Sequence, residues 1–279
     1  MELGKVGIWT SHRAIGEENA GEAARLVEEL GYGTFWLGGS PRLSTVRPLL
    51  EATENLVVAT GIVNVWAYEP AQLAAEHAEL ARDFPGRLLV GIGIGHPEAT
   101  GNYSKPLSAM RAFLDGLDRA ALPSDRRCLA ALAPKMLALS AERSLGAIPY
   151  FVPVAHTSYA RALLGAEPLL APEVAFVLDE NTDSAREQAR EYARLYLGLS
   201  NYANNLLRHG FTDEDIAAGG SDRLIDAVIP HGSAAEIAAV VRAHLDAGAN
   251  HVALQALGEP GIPREGWTAL AEAMTRSPA

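Results

Sequence analysis

The stretch NLVVATGIVNVWAYEPAQLAAEHAELARDFPGRLLVGIGIG, residues 55–95, decides the architecture. Residues 55–66 are an apolar, β-branched run suited to a buried strand. Residues 69–84 carry an amphipathic helical pattern that opens on Pro70, a residue favoured at the first helical position. A second apolar run follows at 87–95. Strand, helix and strand in about forty residues make a βαβ unit, and strands that are apolar on both faces belong in a parallel sheet covered by helices.

The same alternation continues in both directions. Strands are predicted at 5–11, 34–39, 127–132, 147–153, 173–180 and 251–257, with helices at about 17–30, 44–53, 106–119, 134–143, 156–164, from Asp183 onward, and about 234–247. Pro134 opens one of these helices, and Ser233 with Glu236 forms a capping box. Eight strands with seven helix-bearing connections in 279 residues favour a closed (β/α)8 TIM barrel, a single domain that typically takes about 250 residues. A Rossmann-like open sheet would carry its glycine fingerprint after the first strand, where this chain reads WTSHRAIGEE. Residues 196–232 exceed one helix and one loop, and are read as an extra helical excursion between strands seven and eight.

Composition narrows the function classes. Hydrophobic residues are 48% of the chain, enough for a sizeable core. A net charge of −11 argues against nucleic-acid and anionic-membrane surfaces, which need a basic stripe. Cys128 is the single cysteine, so neither an internal disulfide nor a cysteine metal cluster is expected. No apolar run approaches membrane-span length and the start of the chain lacks a signal-peptide pattern, so a cytoplasmic protein is expected. Histidines and carboxylates lack metal-ligand spacing, so no metal is expected. The three lysines, Lys5, Lys105 and Lys135, lie away from strand C-termini, which disfavours a Schiff-base enzyme.

Barrel enzymes place their chemistry at the C-terminal ends of the strands. His12, Asn64, His96 and Gln255 fall at or just beyond such ends. Gly91, Gly93 and Gly95 recur at every second residue and share one face of strand four. They either leave a hollow for something flat and bulky or allow close strand packing. His96 suits a proton donor or hydrogen-bond partner near neutral pH, and His12 occupies the matching place after strand one. Trp9, Trp36 and Trp66 read as a stacking wall or as core fillers.

The motifs GKVGIWTS, LGYGTFWLG, LVVATGIVNVWAYEP, FPGRLLVGIGIGHPE, YSKPLSAMRAFLDGLD and LAALAPKMLALSAERSLGA, in this order, resemble the luciferase-like monooxygenase superfamily. So does the run from FTDEDIAAGG to HVALQ. The nearest likeness is to the branch of deazaflavin (coenzyme F420)-dependent oxidoreductases. The resemblance implies a flavin-type ring at the C-terminal mouth and hydride transfer between deazaflavin and a small organic substrate. FMN-dependent monooxygenation is the alternative, and a non-catalytic barrel that binds a ligand or partner is a third reading. The resemblance also implies a cis peptide bond at Gly61–Ile62, cofactor contacts from Gly61, Ile62, Asn64, Gly93 and Gly95, and a phosphate contact at the turn Ala131–Met136 through Leu132 and Ala133. A homodimer is the family expectation. Two departures stand out. Gly38-Gly39-Ser40 replaces the acidic residue and histidine that sugar-phosphate and alcohol dehydrogenases of the group carry after strand two, and Ala133 stands where glycine is usual.

Overall fold

A computed structural model describes residues 1–96, 98 and 105–275. Pro97 and the Tyr103-Ser104 pair of the quoted motifs lie outside the described residues. Among the described residues, ten strands form one parallel sheet. They are β1 (Val6–Ser11), β2 (Thr34–Gly38), β3 (Val57–Gly61), β4 (Val63–Asn64), β5 (Leu88–Gly93), β6 (Arg127–Leu129), β7 (Gly146–Ala147), β8 (Leu169–Leu170), β9 (Glu173–Phe176) and β10 (Val252–Ala256).

These ten are eight barrel strands. β3 and β4 are one strand broken at the cis Gly61–Ile62 bond. β8 and β9 are one strand broken at Ala171-Pro172, since Pro172 has no N–H to give to the ladder. The broken strand closes the circle. On one side Ala171 and Glu173 N–H donate to the Ala147 and Pro149 carbonyls, and on the other Ala253 N–H donates to the Pro172 carbonyl. The result is the parallel, helix-covered barrel expected from the alternation.

Period-two alternation sorts the strand residues into two cores. In β5, Leu88, Val90 and Ile92 face the surrounding helices, whereas Leu89 joins Val57, Ala59, Cys128, Ile148 and Ala253 in the barrel interior. Glycines 91 and 93 lie on that inward face. A third core, around Tyr202, Leu206, Leu224 and Ile225, holds helices Ser200–Arg208 and Asp222–Val228 against helix Thr182–Leu197. The last helix, Arg264–Thr275, lies beyond the alternation read from sequence. It buries Trp267 and Leu270 on the outer core. Ser233 and Glu236 do cap each other's backbone N–H groups at helix Ala234–Asp246. No helix among the described residues is long and apolar enough to cross a membrane.

Candidate functional site

A cavity of about 820 Å³ opens at the C-terminal mouth of the barrel, within the range of small-molecule and cofactor sites. Gly61, Ile62, Asn64, Gly93, Gly95, His96, Leu132 and Ala133 all line it. His12 does not. Its Nδ1–H donates to the Gly38 carbonyl at 3.1 Å, and the ring faces a separate pocket of about 240 Å³. The broad turn after β1, a short helix His12–Ile15 capped by Ser11, carries the side chain outward.

The three alternating glycines do different things. A Cβ on Gly91 would sit 2.0 Å from the Thr60 carbonyl oxygen, so Gly91 serves strand packing and creates no hollow. A Cβ on Gly93 would meet the Ile62 side chain at 2.6 Å, so part of the space beside it is already filled. Gly95, with φ of +69°, turns the chain at the cavity rim. The glycines that end β2 and β3 serve Trp9: a Cβ on Gly38 or Gly61 would fall 2.0 or 2.4 Å from its indole. Trp9 and Trp36 line the cavity, and Trp36 Nε1–H donates to His251 Nε2 at 3.0 Å. Trp66 is exposed, and its Nε1–H donates to the Ile94 carbonyl at 2.8 Å.

His96 is half-buried, and its Nδ1–H donates to Asn201 Oδ1 at 3.0 Å, which leaves Nε2 as the free acceptor of the neutral ring. Two residues on, Glu98 Oε1 accepts the Ser200 N–H at 3.0 Å, and that bond foremost holds its carboxyl below the usual range. These two contacts fasten the start of helix Ser200–Arg208 to the end of β5. The excursion thereby contributes Asn201, Tyr202, Asn204 and Arg208 to the cavity wall.

Of the polar floor, sequence reasoning marked Gln255 as a strand-end residue but missed the tyrosines and Glu173. The Tyr150 hydroxyl lies 2.5 Å from that of Tyr192 and 3.2 Å from that of Tyr196, and Gln255 Oε1 accepts from Tyr150 at 2.8 Å and from Tyr192 at 3.0 Å. Burial raises all these phenols, so they stay protonated. Tyr192 and Tyr196 are one helical turn apart, a spacing that marks a shared face. Glu173 lies beside them, fully enclosed, and burial pushes its carboxyl up to about 8 against the lowering effect of the Phe151 N–H. A glutamate after Pro172 at a strand start gives no such signal in sequence.

The opposite wall is apolar, built from Ile62, Ala130, Leu132, Met136 and Ile148. Ala133 is the N-cap of helix Pro134–Arg143 and makes no side-chain cap bond; Pro134 has no N–H and Met136 N–H donates to the Ala133 carbonyl at 3.0 Å, so Lys135 carries the one first-turn N–H without a backbone partner. The Ala133 φ of −90° requires no glycine, so alanine serves there without strain. No group of three or more His, Cys, Asp or Glu side chains among the described residues is placed to hold a metal ion.

Residues 3–122 match the luciferase-like monooxygenase family, the barrel half that carries β1 to β5. That match covers less than half of the chain, and the fold is that of several solved barrels. Solved structures of the same fold include a coenzyme F420-dependent tetrahydromethanopterin reductase from Methanopyrus kandleri, with a TM-score of 0.78, 15% identity and 99% of each chain covered. An F420-dependent secondary alcohol dehydrogenase with an F420-acetone adduct gives 0.76 and 15%, over 98% of each chain. The oxygenating constituent of 3,6-diketocamphane monooxygenase from Pseudomonas putida, in complex with FMN, gives 0.69 and 15%, over 96% of this chain and 95% of that one. No curated protein sequence matches the chain.

Proposed function

We propose that this barrel is a coenzyme F420-dependent oxidoreductase acting on a small, largely apolar organic molecule. The cavity carries the reading: one open site at the strand C-termini joins an apolar wall, a polar floor and an uncapped helix N-terminus. The residues fit a flat tricyclic ring with a phosphorylated tail. Ile62, Gly93, Ala130 and Ile148 would face the ring, with Asn64 at its edge, and the first turn of helix Pro134–Arg143 would receive the phosphate with Arg13 and Arg208 at the rim. Bound there, a deazaflavin supplies or accepts a hydride.

The chain's own groups do the rest. His96 stands at the mouth with its ring oriented by Asn201, which leaves Nε2 to give or take a proton. Tyr202, packed 5.4 Å from the His96 ring, excludes water on that side. With one cysteine, buried and far from reactive, the barrel suits the reducing cytoplasm.

Parallel absorbance titrations of the purified protein with F420 and FMN test the reading. Saturable binding of F420 in the micromolar range is the expected outcome. Binding of neither refutes it. Oxygen uptake with reduced FMN, and none with reduced F420, would move the chain to the monooxygenases, a reading the FMN-bound neighbour keeps alive.

A further inference from the structure

One buried group in the cavity has no part in that reading. Glu173 is 4% exposed and lines the cavity. Its register partner is Ala253, two residues before Gln255 on the same face, which places it roughly 6–7 Å deeper than Gln255. The Phe151 N–H donates to Oε2 at 3.2 Å, and Oε1 has no protein partner. A buried carboxyl oxygen left bare is costly, and native proteins answer such an atom with a ligand or an ordered water. Tyr202, 7% exposed on the same cavity, likewise has no protein partner for its hydroxyl among the described residues.

We propose that Glu173 keeps its proton and gives a hydrogen bond from Oε1 to the carbonyl oxygen of the substrate, with the Tyr202 hydroxyl as second donor. The substrate is then an uncharged aldehyde or ketone. This rests on the oxidoreductase reading for the word substrate, but the binding site itself does not depend on it. Charge supports the assignment. The groups facing Glu173 are phenols: Tyr150 from the loop after β7, Tyr192 and Tyr196 from helix Thr182–Leu197, and Tyr202 from helix Ser200–Arg208. Burial holds all four protonated, and no Arg, Lys or His offsets the burial of Glu173. Arg13 and Arg208 lie exposed at the rim. An anionic ligand would therefore find no countercharge on the floor, whereas a neutral acceptor oxygen finds two donors.

Cinnamaldehyde is a suitable probe, because its absorption moves to longer wavelength when its oxygen accepts a hydrogen bond. The purified wild type should bind it with such a shift, and the shift should shrink to the part that Tyr202 supplies as pH rises through about 8, when Glu173 loses its proton. Glu173→Gln, whose amide donates at every pH, should keep the shift on both sides of that value. Glu173→Leu should bind about tenfold more weakly and show a smaller shift, the part that the Tyr202 hydroxyl supplies. An equal shift in Glu173→Leu, a pH-independent shift in the wild type, or no binding to the wild type overturns the proposal. F420 titrations run on the same three proteins check that the variants fold, and their failure on the wild type would sink the cofactor reading while leaving the aldehyde result to stand or fall alone.

Discussion

Replacing Glu173 by Gln should change how stability depends on pH, whether or not any ligand is present. The ordinary carboxyl value is 4.5 and burial pushes Glu173 up to about 8 in the folded protein. The folded state thus holds this proton more tightly than the unfolded chain does. Its stabilising contribution is complete below about pH 4.5 and is lost as pH rises towards 8. Each unit of difference is worth about 1.36 kcal/mol, so the full loss is about 5 kcal/mol, an upper limit because water entry and local relaxation lower it. Glutamine is nearly isosteric, can still accept from the Phe151 N–H, and carries no charge at any pH.

The measurement is urea unfolding of both proteins at pH 5, 7 and 9. The variant-minus-wild-type difference should be small at pH 5 and should favour the variant by several kcal/mol at pH 9. Histidines and surface carboxylates titrate in both proteins, so they cancel in the difference. Parallel stability curves from pH 5 to 9 would mean that Glu173 is hydrated or ionised throughout, and would remove the ground for treating it as a proton-holding acid.

Other outcomes follow from the same geometry. His156, His244 and His251 are each held down to about 4 by burial, so their neutral forms stabilise the fold above about pH 6.5 and that stability is lost as pH falls towards 4; circular dichroism should show acid unfolding within that window, and an intact spectrum at pH 4 would contradict it. Gly91→Ala should abolish soluble expression or cost more than about 4 kcal/mol, because its Cβ meets the Thr60 carbonyl at 2.0 Å, whereas Gly93→Ala meets side chains, Ile62 at 2.6 Å and Ala130 at 3.3 Å, and should fold while weakening ring binding. His96→Ala should lower turnover about 10²-fold or more, and Asn201→Ala less, through a shifted pH profile; unchanged turnover in His96→Ala would end its role as proton partner.

The barrel was legible because its signal is repetitive: each apolar run is short, each is followed by a helix-period segment, and errors at one unit do not disturb the count. The break at Gly61–Ile62 was legible through the family resemblance, whereas the break at Ala171-Pro172 was not. Pro172 hides the first half of the strand that closes the barrel, so the reading began at Glu173, and Leu169–Leu170 went unassigned. The glycine ladder shows a sharper limit. Period two correctly puts Gly91 and Gly93 on one face, but what each meets is set by a neighbouring strand: the Thr60 carbonyl for one, the Ile62 side chain for the other. His12 was misplaced for a similar reason, since a strand end fixes a residue's height on the barrel and the following turn fixes its direction. Glu173 was invisible, because only closure of the sheet turns that strand's charged residue inward.

The segment that most distinguishes this cavity is remote from the barrel's own strands. Asn201 is 105 residues from His96 in sequence, and Ser200 is 102 from Glu98, yet these two bonds set the position of Tyr202 and the far wall. Solved barrels of this fold with 15% identity pair it with F420 in two cases and with FMN in a third. The strand framework alone therefore does not choose the chemistry. The polar floor is shared between strands β9 and β10, which give Glu173 and Gln255, the loop after β7, which gives Tyr150, and the helices of 182–208, which give the other tyrosines. Discrimination between molecules entering the cavity then depends on how firmly those helices hold against β5, and the latch at His96 and Glu98 joins the proposed proton partner to the wall that selects what it acts on.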